Sequence, residues 1–197
     1  MSGTTRSLPA YQETTDGAED TARLGMVLFL GSWAMLFASL FFAYGVLRVR
    51  QPTWPPPGTP ALPTLLPLLN TAVLAWNAMA LQRALGASRR GAAAQTVARL
   101  WEALFLGSVF LLLQVLLWTA MARAGLALSD SSLAAVVYGL TGVHAVHVVL
   151  GLLGLAWLLV ATRTGQRKAA IRLRVCVRYW HFVFVAWLAM YLLLFVV

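Results

Sequence analysis

Cysteine and acidic side chains are the scarcest chemical groups in this 197-residue sequence. Its one cysteine, Cys176, excludes an intrachain disulfide and any metal site built from several thiolates. The 6 aspartate and glutamate residues are outnumbered by 15 lysine and arginine residues, and charged residues make up only 11% of the chain. A soluble domain of this length needs far more charge to cover its surface. The composition therefore excludes an ordinary soluble globular protein.

Long apolar runs take the place of the missing charge. Hydrophobic residues make up 60% of the sequence, and short polar stretches that hold nearly all of the arginines separate the runs. A helix of about 20 apolar residues crosses the hydrocarbon core of a bilayer and satisfies its own backbone hydrogen bonds there. We therefore predict an all-α, polytopic membrane protein with a bundle of five transmembrane helices. The predicted spans are 24–47, 63–85, 99–124, 133–160 and 175–197.

The segment before the first span is polar and acidic. Residues 1–22 contain Glu13, Asp16, Glu19 and Asp20, which are most of the acidic residues in the chain. A segment with little apolar surface to bury stays disordered. The sequence therefore predicts a disordered tail over residues 1–22 and one membrane domain over residues 23–197.

Arginine and lysine are concentrated on one side of the predicted bundle. Only Arg48, Arg50 and Arg123 fall on the side that holds the loops after the first and third spans. The positive-inside rule therefore predicts a cytoplasmic N-terminus and an external C-terminus. A basic chain can also indicate nucleic-acid binding. Here the arginines lie beside apolar runs, where they orient helices, so we expect no nucleic-acid partner.

Ionisable groups inside the spans are the first candidates for function, because they are costly to bury in a bilayer. No aspartate or glutamate lies deep within a predicted span. Glu102 lies one turn into the third span and is expected to pair with Arg99 on the same helix. A proton pump or cation-coupled carrier normally needs a buried carboxylate. The chain is therefore poorly equipped to act as a stand-alone transporter.

Three histidines lie in the fourth and fifth spans. His144 and His147 are three residues apart and share one face of the fourth span, whereas His181 lies in the fifth. They lack the carboxylate or thiolate ligands that usually complete a metal site. His144 and His181, on different helices, could still hold a haem. We favour hydrogen bonds between helices that join the imidazoles to backbone groups or to Thr141.

Amides and residues near the membrane surface complete the set of candidates. Asn70 in the second span and Gln114 in the third are expected, like Thr141 and the histidines, to form interhelical or intersubunit polar contacts. Small residues at close-packing spacing, such as Gly151 and Gly154, are expected to let helices approach. The expected contacts to lipid headgroups near the cytoplasmic interface are Arg89, Arg90, Arg178, Tyr179 and Trp180.

Five short segments follow one another in the order of a known family pattern. They are LGMVLFL at 24–30, WPPPGTP at 54–60, LNT at 69–71, LTGVHAVHV at 140–148, and YWHFV at 179–183 with Trp187. Together these segments resemble subunit III of the haem–copper respiratory oxidases (the cytochrome c oxidase subunit III family) in its short, five-helix bacterial form. The resemblance runs from about residue 24 to the end of the chain.

Three positions depart from that family pattern. The family usually has acidic residues in the membrane where this sequence has Trp33, Leu117 and Phe184. All three replacements are apolar, which agrees with spans that lack carboxylates. The resemblance therefore implies a structural version of the subunit that does not supply protons through those acids.

The resemblance implies a non-catalytic core subunit of a terminal respiratory oxidase in the bacterial inner membrane. Such a subunit binds no haem, copper or other cofactor itself. Haem and copper are expected in partner chains, chiefly the catalytic subunit I among other respiratory-complex subunits, and phospholipid is expected between the helices. The alternatives left open are an accessory subunit of a nitric-oxide reductase or respiratory supercomplex, a stand-alone small transporter, and a membrane cytochrome.

Overall fold

The structure is a computed structural model that describes residues 10–53, 60, 62–127, 132–163 and 169–196. Its elements in these ranges are all helical. They are α1 (Ala10–Arg50), α2 (Leu65–Arg89), α3 (Ala93–Arg123), α4 (Ser132–Arg163) and α5 (Ala169–Tyr191), which a π-helical turn (Leu192–Val196) extends.

Each of the five helices is long and apolar enough to cross a membrane. The prediction of an all-α protein with five spans is therefore confirmed. The helices run beyond the predicted spans, since α3 begins at Ala93 and α4 ends at Arg163. Hydropathy marks where a helix meets lipid, whereas the backbone hydrogen bonds of a helix continue into the polar region outside it.

The first helix differs from its prediction at its N-terminal end. α1 begins at Ala10 and so includes much of the segment that the sequence assigns to a disordered tail. The hydrogen bonds of a helix join backbone groups, so a polar segment can continue the helix beyond the apolar run. Residues 1–9 lie outside the described part of the chain.

A tight turn joins α2 to α3. Gly91 has a φ of 73°, and its amide N–H donates to the carbonyl of Ser88 at 3.1 Å. The amide N–H of Ala92 then donates to the carbonyl of Ala87 at 3.0 Å. A left-handed glycine of this kind ends a helix at little steric cost. The two helices consequently form an antiparallel hairpin.

The fifth helix lies at the centre of the bundle, against α1, α2 and α4. Its Trp187 indole N–H donates to the hydroxyl of Thr71, near the start of α2, at 2.9 Å. The Tyr44 hydroxyl of α1 donates to the carbonyl of Leu193, just past the end of α5, at 3.3 Å. The late part of α5 therefore meets the early part of α2, so these two helices are antiparallel.

Trp180 of α5 is the largest side chain at the junction with α3 and α4, and it is 1% exposed. Two glycines make room for it. A Cβ atom added at Gly107 in α3 would lie 2.8 Å from Cη2 of Trp180, and one at Gly151 in α4 would lie 3.0 Å from its Cζ2. By contrast, nothing lies within 4 Å of a Cβ added at Gly154. Of the predicted pair Gly151 and Gly154, only Gly151 lets a neighbouring helix pack closely.

Candidate functional site

Buried amides connect the two helices of the α2–α3 hairpin. Asn70 donates from its side-chain amide to the Oε1 atom of Gln114 at 3.2 Å. One level further along, the Asn77 amide donates to the backbone carbonyl of Ala103 at 2.6 Å. All three amide side chains are buried. The structure therefore places Asn70 and Gln114 together in one interhelical contact.

Thr141 forms the corresponding contact between α3 and α4. Its hydroxyl accepts a hydrogen bond from the indole N–H of Trp118 at 2.9 Å and donates to the carbonyl of Val137 at 2.6 Å. The Tyr138 hydroxyl donates to the Trp118 carbonyl at 2.9 Å. Trp118 is thus tied to α4 at both its side chain and its backbone. Sequence reasoning missed its role, because no local pattern marks the partner of an indole.

The histidines differ from their prediction. Both ring nitrogens of His144 are buried without a hydrogen-bond partner in the described part of the chain, and Thr141 does not reach them. The Nδ1–H groups of His147 and His181 donate within their own helices, to the carbonyls of Val143 and Val177, each at 2.7 Å. The carbonyl four residues earlier is the nearest acceptor for Nδ1 in a helix. Within the described part of the chain, the hydrogen bonds of the His147 and His181 rings therefore lie within one helix, and contacts of the imidazoles with another subunit stay a prediction.

Aromatic rings enclose the two histidines of α4. The ring centroid of His144 lies 5.4 Å from that of Trp187, 5.6 Å from Phe110 and 6.3 Å from Phe37. His181, by contrast, is exposed on another face of the bundle. The two imidazoles that could have held a haem from opposite sides therefore do not face a common space.

Packing side chains occupy the three positions where the sequence departs from the pattern that it resembles. The indole of Trp33 stands edge-on to His147, with ring centroids 3.8 Å apart and planes at 80°. Leu117 is fully buried in the core, and Phe184 packs against that core while partly buried. Apolar contact thus occupies all three places.

Tyr179 and Trp180 also lie deeper than predicted. The Tyr179 hydroxyl donates to the backbone carbonyl of His147 at 2.7 Å, which ties α5 to α4. Trp180 is enclosed at the junction of α3, α4 and α5. Their hydroxyl and indole groups therefore face helices, so the expectation that they contact headgroups is not what the structure shows. The large size of both side chains is better matched to filling the core than to the surface.

A largely apolar cavity of about 670 Å³ lies between α1, α4 and α5. Phe29, Leu150 and the ring of Tyr179 form part of its wall, and Cys176 lies in the lining. At the end towards the start of α5, the guanidinium of Arg172 stands 4.3 Å above the ring centre of Trp157. This combination of an apolar trough and one cation suits an elongated amphiphile.

Two basic pockets flank the C-terminal end of α2. The first, of about 300 Å³, is bounded by α2 and α5, and the second, of about 500 Å³, by α2 and α3. The structure separates the predicted headgroup contacts between them. Arg89 and Arg178 line the α2–α5 pocket, and Arg90 lines the α2–α3 pocket.

A carboxylate distinguishes the second of these pockets from the first. In the α2–α3 pocket, Arg99 pairs with Glu102 at 2.6 Å, as predicted. The other carboxylate oxygen of Glu102 accepts from the indole N–H of Trp76 at 2.8 Å. The charge of Glu102 is thus satisfied inside the protein. Across residues 10–196, as far as the structure describes them, no three His, Cys, Asp or Glu side chains cluster in a way that could hold a metal ion.

The fold and these contacts define a multi-pass helical membrane protein whose internal polar groups join one helix to another. A family model described as cytochrome c oxidase subunit III matches residues 10–197. This chain belongs to the cytochrome c oxidase subunit III family and is therefore a subunit of the haem–copper oxidase type.

Curated relatives agree over nearly the whole chain. The cytochrome c oxidase subunit 3 of Synechocystis sp. is 31% identical over 91% of this chain and 77% of its own length. The Thermostichus vulcanus protein of the same name is 31% identical over 88% of this chain and 86% of its own length. A protein of Aeropyrum pernix named heme-copper oxidase subunit I+III is 30% identical over 91% of this chain and 23% of its own length.

Proposed function

We propose that this chain is a non-catalytic core subunit of a haem–copper terminal oxidase, in which it stabilises the catalytic subunit and binds phospholipid. Membership of the cytochrome c oxidase subunit III family is the single observation that carries this proposal. The match extends over the described helices from α1 to α5 rather than over one motif.

Association with a catalytic subunit I is supported by a relative in which the two names are joined. The Aeropyrum pernix protein is named subunit I+III, and this chain corresponds to less than a quarter of its length. Apolar side chains on the outer faces of α1 and α4 offer a surface for such a partner. Examples are Met35, which is 74% exposed, and Leu153, which is 62% exposed.

Haem and copper belong, in this proposal, to the partner subunits. The buried histidines of α4 are packed among aromatic rings, and His181 lies apart from them in the α2–α5 pocket. Their part is to fill space and fix the helices rather than to bind a redox centre. Electron transfer and oxygen chemistry then take place outside this chain.

Lipid binding is supported by the apolar cavity between α1, α4 and α5. A volume of about 670 Å³ lies within the range of sites that hold small ligands, and apolar side chains dominate its walls. An acyl chain of a phospholipid matches this lining. Arg172, which stacks on Trp157 at one end, lies where it can approach the lipid headgroup.

The membrane and the orientation are also part of the proposal. The ends of α2 and α5 that carry Arg89, Arg174 and Arg178 are assigned to the cytoplasmic face by the positive-inside rule. The N-terminus is then cytoplasmic, the C-terminus is external, and the membrane is the inner membrane of a bacterium.

Purification through a tag on this chain tests the proposal. In mild detergent we expect a haem-loaded catalytic chain to co-purify, and a redox difference spectrum to show haem bands that stay with that chain when the tagged subunit is stripped away. His144→Phe, which keeps an aromatic ring in the same enclosure, is expected to leave the spectrum unchanged. Haem that follows the tagged chain and disappears in this variant would contradict the proposal.

A working-life assay tests the stabilising role separately. Oxidase lacking this chain is expected to consume oxygen at first and to lose activity over fewer turnovers than the complete complex. An equal lifetime with and without the chain, at equal haem content, would refute that role.

A further inference from the structure

The α2–α5 pocket is built from matching positions on two antiparallel helices. From α2 it takes Gln82, Leu85 and Arg89, and from α5 it takes Arg174, Val177, Arg178 and His181. Residues three, four and seven positions apart share one face of a helix. Each helix therefore turns a stripe of cationic or hydrogen-bonding side chains towards the other.

The charge of this pocket is one-sided. Three arginines and a histidine line this pocket of about 300 Å³, and none of the lining residues is an aspartate or glutamate. Within the described part of the chain, neither Arg89 nor Arg178 has an ion pair with a carboxylate. The neighbouring α2–α3 pocket differs, because Glu102 lies among its arginines. An anion bound in this pocket would reduce the repulsion between the guanidinium groups of Arg89 and Arg178.

The side chains fit a phosphate group better than a simple anion. A guanidinium presents a planar fork of N–H donors that matches two phosphate oxygens. Gln82 adds an amide N–H₂ as a further donor, whereas the Nδ1–H of His181 is already used by the carbonyl of Val177. The volume is about ten times the roughly 30 Å³ that one water occupies in the liquid.

We propose that this pocket, with Arg89 and Arg178 as its principal contacts, binds the phosphate group of an anionic ligand. The position at the arginine-rich ends of two spans favours the headgroup of an anionic phospholipid, because basic pockets between membrane helices bind such headgroups. A free phosphate ion has the same chemistry. The inference deepens the lipid binding of the proposed function and assigns it a second, polar site apart from the apolar cavity.

Lipid titration of the full-length chain tests this site. Native mass spectrometry would measure the binding of phosphatidylglycerol, of phosphatidylcholine and of inorganic phosphate to the unaltered chain and to Arg89→Gln/Arg178→Gln. We expect phosphatidylglycerol to bind about thirtyfold more weakly to the variant, since two arginine contacts are lost. Arg89→Lys/Arg178→Lys is expected to recover part of that affinity, because it keeps the charge and loses the fork.

The matched control removes the same charge elsewhere. Arg50→Gln/Arg123→Gln takes two arginines from the other ends of the spans and is expected to leave phosphatidylglycerol binding nearly unchanged. Binding of phosphatidylglycerol but not of inorganic phosphate assigns the site to a lipid headgroup, and binding of both assigns it to phosphate in general. An equal loss in the two double variants, or no loss in either, overturns the proposal.

Co-purification separates this inference from the proposed function. Arg89→Gln/Arg178→Gln is expected to remain in the complex with the haem-loaded chain while it loses the bound anion. If the unaltered chain brings down no haem-loaded partner, the oxidase role fails, whereas the titration still decides whether the pocket binds phosphate.

Discussion

Alanine in place of Gly151 is expected to destabilise the bundle, because the added Cβ atom would clash with two aromatic rings. The added Cβ atom would lie 2.9 Å from Cε1 of Tyr179 and 3.0 Å from Cζ2 of Trp180, which is closer than such atoms normally approach. The Tyr179 ring cannot turn aside cheaply because its hydroxyl donates to the carbonyl of His147, and the Trp180 ring cannot because it is buried on all sides. Overpacking of this kind costs about 1–3 kcal/mol.

Gly154→Ala supplies the matched control, one turn further along α4, where nothing lies within 4 Å of the new atom. Alanine favours helix over glycine by about 1 kcal/mol, and that gain is the same in both variants. The difference between the variants therefore isolates the steric cost. A difference of about 2 kcal/mol corresponds to a Tm about 4–8 °C lower for Gly151→Ala in a chain of this size.

Thermal unfolding of both variants in one detergent, followed by loss of the monodisperse peak on gel filtration, measures this difference. Gly107→Ala places a Cβ atom 2.8 Å from the same indole and should lower the Tm in the same direction. Replacement of that indole, in Trp180→Phe, should reduce the penalty of Gly107→Ala in a double-mutant cycle. Equal Tm values for Gly151→Ala and Gly154→Ala would refute the packing argument.

Three further substitutions test the polar and aromatic contacts. Asn70→Leu leaves the buried Gln114 amide without its partner. The effects of Asn70→Leu and Gln114→Leu should therefore add up to more than the effect of Asn70→Leu/Gln114→Leu, with a coupling of about 0.6–1.7 kcal/mol by thermal unfolding. Additive effects would contradict the contact. Trp33→Ala should lower the Tm by removing the ring that faces a buried imidazole, whereas Met35→Ala, at a more exposed position of α1, should change it little. Glu102→Gln breaks a partly exposed ion pair within α3 and should cost less than about 1 kcal/mol by thermal unfolding; a larger loss would contradict a minor role for this pair.

Hydropathy alone predicted the five spans because membrane insertion imposes one dominant requirement. Each crossing segment must be apolar and long, and that property is readable without knowing any neighbour. Helix ends follow other rules. α1 extends back to Ala10, well beyond its apolar run, and Gly91 forms the turn between α2 and α3 through a left-handed conformation.

Pair contacts were predictable only where both partners lie on one helix or match in chemistry. Arg99 and Glu102 are one turn apart, so their ion pair follows from spacing. The sequence also marked Asn70 and Gln114 as polar contacts, but it did not show that each is the other's partner. Gly151 and Gly154 look alike in sequence, and their roles diverge because Trp180 lies against one and not the other.

The histidines show that a polar side chain buried in the bundle need not form a hydrogen bond to another helix. We expect an imidazole inside a bundle to bond to another helix, yet His147 uses the nearest carbonyl of its own helix and meets Trp33 edge-on. A ring that donates locally on one edge can offer its remaining surface to aromatic neighbours. Both ring nitrogens of His144 and the Nε2 of His147 nevertheless have no hydrogen-bond partner in the described part of the chain.

Trp33, Leu117 and Phe184 stand at the three positions where the family resemblance leads us to expect an acid. A carboxylate at the place of Trp33 would face His147, and its charge would have to be stabilised within the bundle. Trp33, Leu117 and Phe184 need no such support, and each packs against its neighbours instead. The remaining charges gather at the ends of the helices, where Arg89 and Arg178 can meet an anion without crossing the apolar core. In this chain, packing contacts therefore lie inside the bundle, whereas the proposed anion contacts lie at its edge.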